Sequence, residues 1–579
     1  MGPSGSGKTT LLNFVTGNIS GGLKADGHVQ LNGQMGFVPQ QDHLHGFYTC
    51  RSYMRHYTRL VGLDDNVATA KLSMDLLIGL GLDKHADTIV GDLFRKGLSG
   101  GQQRRLSVAL EALSSPETLF LDEPTSGLDS ESAYQVMKFL DSYARASGRR
   151  VILTIHQPSS FIWKMIDNVV LLSKGKLMYQ GPRSQMESFF AQNGSPCPPE
   201  YNPADHYVTV VNDEFTLHEK SVEAWADAFE QWQKLGGMKD DVELALNRSD
   251  PATAPSGTSI LRSMRTNSIR STVIPSSRAN ALVAVRRNSI RSTVIPSSRA
   301  NALVAVFELT RRYLLNLWLN PGILGTRVIM YSMLSGLIGM LFWDLESSTS
   351  YASVQSRIAL LFYCVSFFVF MSVAAVPFAV MERGIVEKEV RNGYYHPAIF
   401  QAAQSIASIP GTFVLALITT VITVSMTGLR APIWYFLNTL LALNCAEGMA
   451  QLVSHIVPHF IIGIALIAGL YGMFMLLPGF VIVPSEFPSW LGWTYNIAFH
   501  TYSWRSFMFN EFSGDDMKFD SVEFPTGMDV LRLYEIEDVD PTFDMIVLVG
   551  YAVVINLVSF LVLHVKYVSH NTKQVTTEV

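Results

Sequence analysis

The sequence predicts a chain in two parts, a soluble α/β domain followed by an all-α domain of six membrane spans. Three observations predict it. Charged residues are 16% of the 579 positions against 48% hydrophobic, with a mean hydropathy of +0.21; a disordered chain or an ordinary soluble enzyme does not show that balance. Apolar stretches of about 20 residues, long enough for a hydrocarbon core of about 30 Å, occur only after residue 320. Before residue 210, short apolar runs of strand character alternate with helical patterns.

The composition also excludes some classes. At 64.2 kDa the chain is too long for one ordinary core. A net charge of -5 and a pI near 6.3 exclude nucleic acid as the main partner, because phosphate binding needs a basic surface. Cys50, Cys197, Cys364 and Cys445 are too scattered for a disulfide framework or a zinc pattern, which fits cytosolic or membrane-buried thiols. No basic-then-apolar leader opens the chain, so no cleaved signal is expected.

In the soluble part, strands are expected at Leu119 to Leu121, Val151 to Ile155 and Val169 to Leu172. Gly2, Pro3, Ser4, Gly5, Ser6, Gly7, Lys8, Thr9 and Thr10 satisfy G-x-x-x-x-G-K-[ST], a phosphate loop. Its glycines let backbone N–H groups turn toward phosphate, a helix follows with its positive end there, Lys8 reaches the β/γ-phosphates and Thr9 can ligate Mg²⁺. Alone, the loop makes the fold class an α/β P-loop NTPase. The apolar run ending at Leu121 delivers Asp122 and Glu123 to the phosphate end of a sheet, Asp122 for Mg²⁺ and Glu123 to polarise an attacking water. Ser99, Gly100, Gly101 and Gln102 start a helix whose Leu106, Leu110 and Leu113 share one face, and their amides form a second anion-binding helix start.

Residues 251 to 306 change to Ser, Arg, Ala, Asn and Pro, with eight arginines and no acid, a basic linker. It holds a perfect duplication, Asn267 to Val285 recurring as Asn288 to Val306. Two copies cannot build a repeat array. Arg286-Arg-Asn-Ser289 and Arg265-Thr-Asn-Ser268 fit basophilic kinase sites. Beyond the linker, spans are expected at 324–343, 358–380, 402–426, 434–455, 460–478 and 544–565. The segment 479–543 carries eleven acids against three bases, so the positive-inside rule places it outside, and Glu382 to Arg391 and both termini inside.

LSGGQ between a phosphate loop and an Asp-Glu strand resembles the signature of ATP-binding cassette (ABC) transporters, and the family's other elements match in order. Gln40 in Phe37-Val-Pro-Gln40 resembles the Q-loop glutamine and a further Mg²⁺ contact, Ser126-Gly-Leu-Asp129 the D-loop, and His156 in Thr154-Ile-His-Gln-Pro-Ser-Ser160 the switch histidine. A cassette ahead of the membrane region, TIHQPSS, Cys197 to Asp205, Asn320-Pro-Gly322, Glu382-Arg383 with Gly393-Tyr-Tyr395, and Asn510-Glu-Phe512 resemble the ABCG (White/Brown) subfamily, in parts its plant cuticular-lipid exporters. The resemblance implies a cassette at 1–212, a helical and basic linker at 213–306 and a six-span domain at 307–579. It implies an ATPase half-transporter in which Glu123, His156 and Gln40 act on ATP. A second half-transporter would supply the opposing signature, in a homo- or heterodimer moving a hydrophobic, lipid-like substrate among membrane lipids. It favours the plasma membrane over an internal one. The alternatives are a regulatory or scaffold ATP-binding protein and an inactive cassette.

Family cassettes carry strands ahead of the phosphate loop, whereas here only Met1 precedes Gly2, so the cassette is expected to lack its first strands and to bind ATP weakly or fold poorly. The external segment has no cysteine for the bridges some relatives form. Arg383/Glu387 and Glu387/Arg391 have i,i+4 spacing on an inferred cytosolic helix, at the position of the family's coupling helix. Phe307 to Asn320 resembles its connecting helix, with Arg311 and Arg312 available to headgroups. In the fourth span Asn444, Glu447, Gln451 and His455 share one face, and hydrogen bonding to neighbouring helices is favoured over substrate contact. Trp490, Trp493, Tyr495, Phe499, Tyr502 and Trp504 are expected in an outer aromatic belt.

Overall fold

The computed structural model describes residues 1–17, 33–92, 95–212, 221–234, 301–514 and 517–569. Most of the linker, with both candidate kinase sites and the first copy of the duplication, lies outside these residues. The chain divides into two compact units, Met1–Gln40 with Ser115–Arg291, and Gln41–Ser114 with Ser292–Val579. This differs from the linear division at 212 and 306. The helical segment 41–114 clusters with the membrane helices because its buried polar side chains find their partners there.

In the first unit, helix α1 (Lys8–Val15) follows the phosphate loop, and strands β1 (Met35–Val38), β2 (Thr118–Leu121) and β3 (Arg150–Leu153) form a parallel sheet in that order. The register aligns Phe37, Phe120 and Ile152. All four residues of β2 are buried, as a central parallel strand requires. Leu12 of α1 packs on Phe37 and Phe120. A hairpin of β4 (Asn168–Ser173) and β5 (Lys176–Pro182) carries a second cluster. Phe189, Phe190 and Tyr207 close over it with Trp225 and Phe229 of the helix Val222–Lys234, so the stretch read as the start of a linker supplies core to this unit.

In the second unit, α2 (Cys50–Leu60), α3 (Val67–Gly79) and α4 (Gly100–Leu113) form a helical group. Leu106, Leu110 and Leu113 are buried as their spacing predicts. Connecting helix α5 (Ala302–Leu319) starts inside the second copy of the duplicated segment, with the Asn301 side chain accepting from the Leu303 N–H. The helices Thr326–Leu341, Pro397–Thr427, Pro432–Ile456, Phe460–Leu476 and Pro541–His564 coincide with five of the six expected spans, and Tyr351–Phe370 overlaps the second. Among the described residues, four helices are long and apolar enough to cross a membrane. The other two are the fourth, 25 residues long with a polar stripe, and the fifth, whose 17 residues rise about 25 Å.

Three expectations change. The second span does not end near residue 380; after a tight turn at Met371–Ala375 it continues as Val376–Arg391, so the inferred cytosolic helix is its own extension. The aromatic belt splits, with Trp490 and Trp493 exposed and Phe499 and Trp504 buried in the helix Phe499–Phe512. Of the two arginines assigned to headgroups, Arg311 is exposed, but Arg312, about 100° round the helix, is fully buried. The polar stripe of the fourth span bonds its neighbours: Asn444 accepts from the Thr412 hydroxyl at 3.2 Å, Glu447 pairs with Arg327 at 2.8 Å, and Gln451 and His455 meet Gln401 at 3.5 and 3.3 Å.

Candidate nucleotide site and the buried polar network of the second unit

Three adjacent parallel strands end on one edge of the sheet, the edge where open α/β sheets bind ligands. Gln40 follows β1, Asp122 and Glu123 follow β2, and Thr154 and His156 follow β3. Gly7 caps α1 with φ +95°, a left-handed conformation that glycine adopts without a Cβ penalty. Lys8 folds back, its Nζ donating to the carbonyls of Gly2 at 3.0 Å and Pro3 at 2.8 Å. Burial lowers the Lys8 ammonium from its ordinary pKa, against the pull of Glu123 and Asp122.

Asp122 is buried and accepts two hydroxyls on Oδ1, from Thr9 at 3.1 Å and Thr154 at 2.5 Å. The Thr154 oxygen in turn accepts the Glu123 N–H at 2.8 Å. Gln40 Nε2 donates to Glu123 Oε2 at 2.9 Å. Glu123 has φ +47°, an uncommon conformation for a side-chain-bearing residue and one that clusters at functional sites. Thus Thr9, Gln40, Asp122 and Glu123 come together, whereas His156 is exposed three residues after β3. Two hydroxyls around a carboxylate, with a side-chain amide near, make a set of hard oxygens that suits Mg²⁺. Thr154 was not singled out from the sequence. Its signal was present, a hydroxyl in register beside the end of a strand that delivers two carboxylates.

Asp129 caps the helix Ser130–Ser147, its Oδ2 accepting the Ser132 N–H at 3.1 Å, and is exposed. In the second unit, Ser99 and Gln102 form a reciprocal capping box at the exposed start of α4, Gln102 N–H to Ser99 Oγ at 3.3 Å and Ser99 N–H to Gln102 Oε1 at 2.9 Å. Gly100 and Gly101 supply the first turn behind them.

The second unit also holds a polar network that sequence reasoning did not foresee. Glu389 of the second-span extension accepts Arg312 Nη1 at 2.7 and 2.9 Å, the Tyr57 hydroxyl at 3.0 Å and the Tyr395 hydroxyl at 2.6 Å, with no exposure of either charge. Glu111 of α4 accepts Lys388 Nζ at 2.9 Å, Asn392 Nδ2 at 2.6 Å and the Tyr394 hydroxyl at 2.5 Å. Burial raises the Glu111 carboxyl above its ordinary pKa, against Lys388 and Tyr394. Glu308 of α5 takes Arg59 at 2.5 Å and His56 at 3.4 Å. Gly384 fits here because it is bare, since a Cβ would lie 2.9 Å from the His43 ring. The helical group, the connecting helix and the span extension are thereby held by charge-assisted bonds.

A parallel-stranded phosphate-loop unit with paired carboxylates at its strand ends, in one chain with a helical membrane domain, defines an ATPase cassette coupled to membrane transport. Known proteins agree. A family model described as ABC transporter matches residues 1–126, and models described as ABC-2 type transporter match 304–512 and 156–295. The chain is 30% identical to ABC transporter G family member 1 of Petunia hybrida, over 97% of this chain and 86% of that protein. It is 32% identical to ABC transporter G family member 11 of Arabidopsis thaliana, over 90% and 73% respectively. It is 27% identical to the ABC transporter ATP-binding protein/permease wht-1 of Caenorhabditis elegans, over 98% and 85%. The chain belongs to the G family of ABC transporters, and is an ATP-hydrolysing, integral membrane transporter.

Proposed function

We propose that the chain is a half-transporter that exports or flips a hydrophobic, lipid-like substrate as a dimer, its cassette and both termini in the cytosol and its membrane the plasma membrane. The observation that carries the catalytic part is the chain of hydrogen bonds from Thr9 through Asp122 and Thr154 to Glu123 and Gln40. In this reading the loop from Gly2 to Thr10 cradles the phosphates and Lys8 turns from the Gly2 and Pro3 carbonyls to the β/γ-phosphates. Thr9, Asp122 and Gln40 hold Mg²⁺, which when bound neutralises charge on the transferring phosphoryl group. Glu123, already positioned by Gln40 and by its own N–H, orients the attacking water, and His156 contacts the γ-phosphate.

One set of motifs per chain calls for a second copy or a related half-transporter, with Ser99, Gly100, Gly101, Gln102 and Asp129 of one chain completing the nucleotide site of the other; a twofold dimer is the default symmetry. The network on Glu389 and Glu111 supports a transmitting role for Glu382 to Arg391. The chain's relatives in petunia and Arabidopsis are G family transporters, and the lipid-like substrate rests on the likeness to that family's plant cuticular-lipid exporters. The test is purified protein in liposomes. Vanadate-sensitive ATPase that depends on Glu123 and rises with a candidate lipid is expected, together with movement of that lipid between leaflets. ATP binding without turnover or lipid movement would leave the regulatory reading instead.

A further inference from the structure

The first turns of α4 are held by the segment that precedes them in the chain. Arg105 Nη1 donates to the Leu80 carbonyl at 3.0 Å, and Gln103 Nε2 donates to the Val90 carbonyl at 3.1 Å. Gln102 Nε2 meets His85 Nε2 at 3.0 Å. The first two contacts reach backbone carbonyls, which any residue at those positions supplies. The third needs a side-chain acceptor, so here the identity of the residue matters. His85 ends the short turn Asp83–His85, and its backbone is fixed on both sides. Its N–H donates to the Leu82 carbonyl at 3.0 Å, its carbonyl accepts the Thr88 N–H at 3.0 Å, and Leu82 and Ala86 are buried around it.

The capping box sets the direction of this bond. Gln102 Oε1 accepts the Ser99 N–H at 2.9 Å, so the amide oxygen faces Ser99 and the amide NH₂ faces the imidazole. An NH₂ group only donates, and His85 Nε2 is therefore the bare, accepting nitrogen, with the ring proton on Nδ1. Turning the amide over would put its NH₂ against the Ser99 N–H, two donors face to face. The imidazole thus selects the one orientation of the Gln102 side chain that completes the cap on Ser99. Both His85 and Gln102 are half-buried, so water competes for the bond and its loss has a moderate effect.

We propose that His85, which lies outside every nucleotide motif, is a positioning residue for ATP turnover. It holds the Gln102 amide, and through it the Ser99 cap, in the orientation in which the start of α4 engages the nucleotide of the partner chain. This rests on the dimer reading above. The test is a double-mutant cycle in the purified full chain in liposomes. His85→Phe keeps a ring and removes the acceptor, whereas His85→Gln returns an acceptor at the reach of Nε2. Turnover at saturating ATP should fall about three- to tenfold in His85→Phe, the scale of one hydrogen bond, at unchanged ATP binding. In His85→Gln it should return to within about twofold of wild type. In a Gln102→Leu background His85→Phe should cost less than about twofold more, because the bond it removes is already gone. Without nucleotide, amide exchange over Leu98–Gln103 should quicken at least about threefold in His85→Phe and stay near wild type in His85→Gln. Should His85→Phe fail to fold, His85→Ala takes its place in the same cycle. Equal losses in the Phe and Gln variants, a full further loss in the Gln102→Leu background, or unchanged exchange overturns the proposal. If the wild type shows no Glu123-dependent turnover, the transport reading fails, and the exchange measurement alone then decides whether His85 positions Gln102.

Discussion

The cassette and the second unit hold their charges in opposite ways. Around the phosphate loop Gln40 and His156 are exposed and Glu123 half-exposed, each on a loop just past a strand end. In the second unit Arg312 and Glu389 have no exposure at all, and Glu111 and Lys388 almost none. Groups that must meet a ligand and release its products stay accessible on short, strained connections. Groups that lock helices together are removed from water, and their desolvation is offset only while every partner is present. A loss at the first kind of site changes chemistry and leaves the fold; a loss at the second changes the fold first.

The largest separation is expected from Glu123→Gln. It should lower ATP turnover by about 10²–10⁴-fold, as removal of a base does, while the unfolding midpoint and nucleotide binding stay near wild type. An equal fall in the midpoint would erase the contrast. Arg312→Ala is the counterpart, leaving Glu389 buried and unpaired, and should destabilise by about 3–5 kcal/mol in thermal or denaturant unfolding. The double variant Arg312→Met with Glu389→Leu should recover much of that, because neither member of the pair is then left buried without its counter-charge.

Glu111 sharpens the same point through pH. Burial raises its pKa in the fold, so folding takes up a proton there; the associated stability is fully present below the ordinary value of 4.5 and is lost as pH rises through the folded value. Glu111→Gln should flatten that part of the curve of unfolding midpoint against pH. A smaller effect is expected from Ser99→Ala, which removes the capping oxygen of α4 at about 1 kcal/mol, read as faster amide exchange in its first turn without nucleotide. The smallest is Arg51→Ala, on a fully solvated pair with Asp87, which should not shift the midpoint measurably.

Much of the cassette was legible because its chemistry is written in short local runs. A phosphate loop needs glycines at set offsets, and an apolar run ending in Asp-Glu reads as a buried strand delivering carboxylates. The same locality explains the agreement at the span helices, where length and hydropathy decide the element. The misses have one cause. Arg312, Glu389, Glu111 and Thr154 look like ordinary surface residues in their own segments, and their partners lie 77 positions away for Arg312 and Glu389 and 32 for Thr154 and Asp122. The end of the second span was misplaced for the same reason, since charged residues from Glu382 onward read as solvated when their partners are elsewhere in the chain.

By itself, then, the sequence determined the class of the two parts, the phosphate loop, the order of the nucleotide motifs and the positions of the span helices apart from the course of the second, all of which rest on spacing within a few turns. Only the tertiary structure decided that residues 41–114 cluster with the membrane helices and that one of two adjacent arginines is buried on a glutamate. Those depend on which distant groups desolvate one another, and that energy is a property of pairs brought together by folding, not of any stretch of the chain.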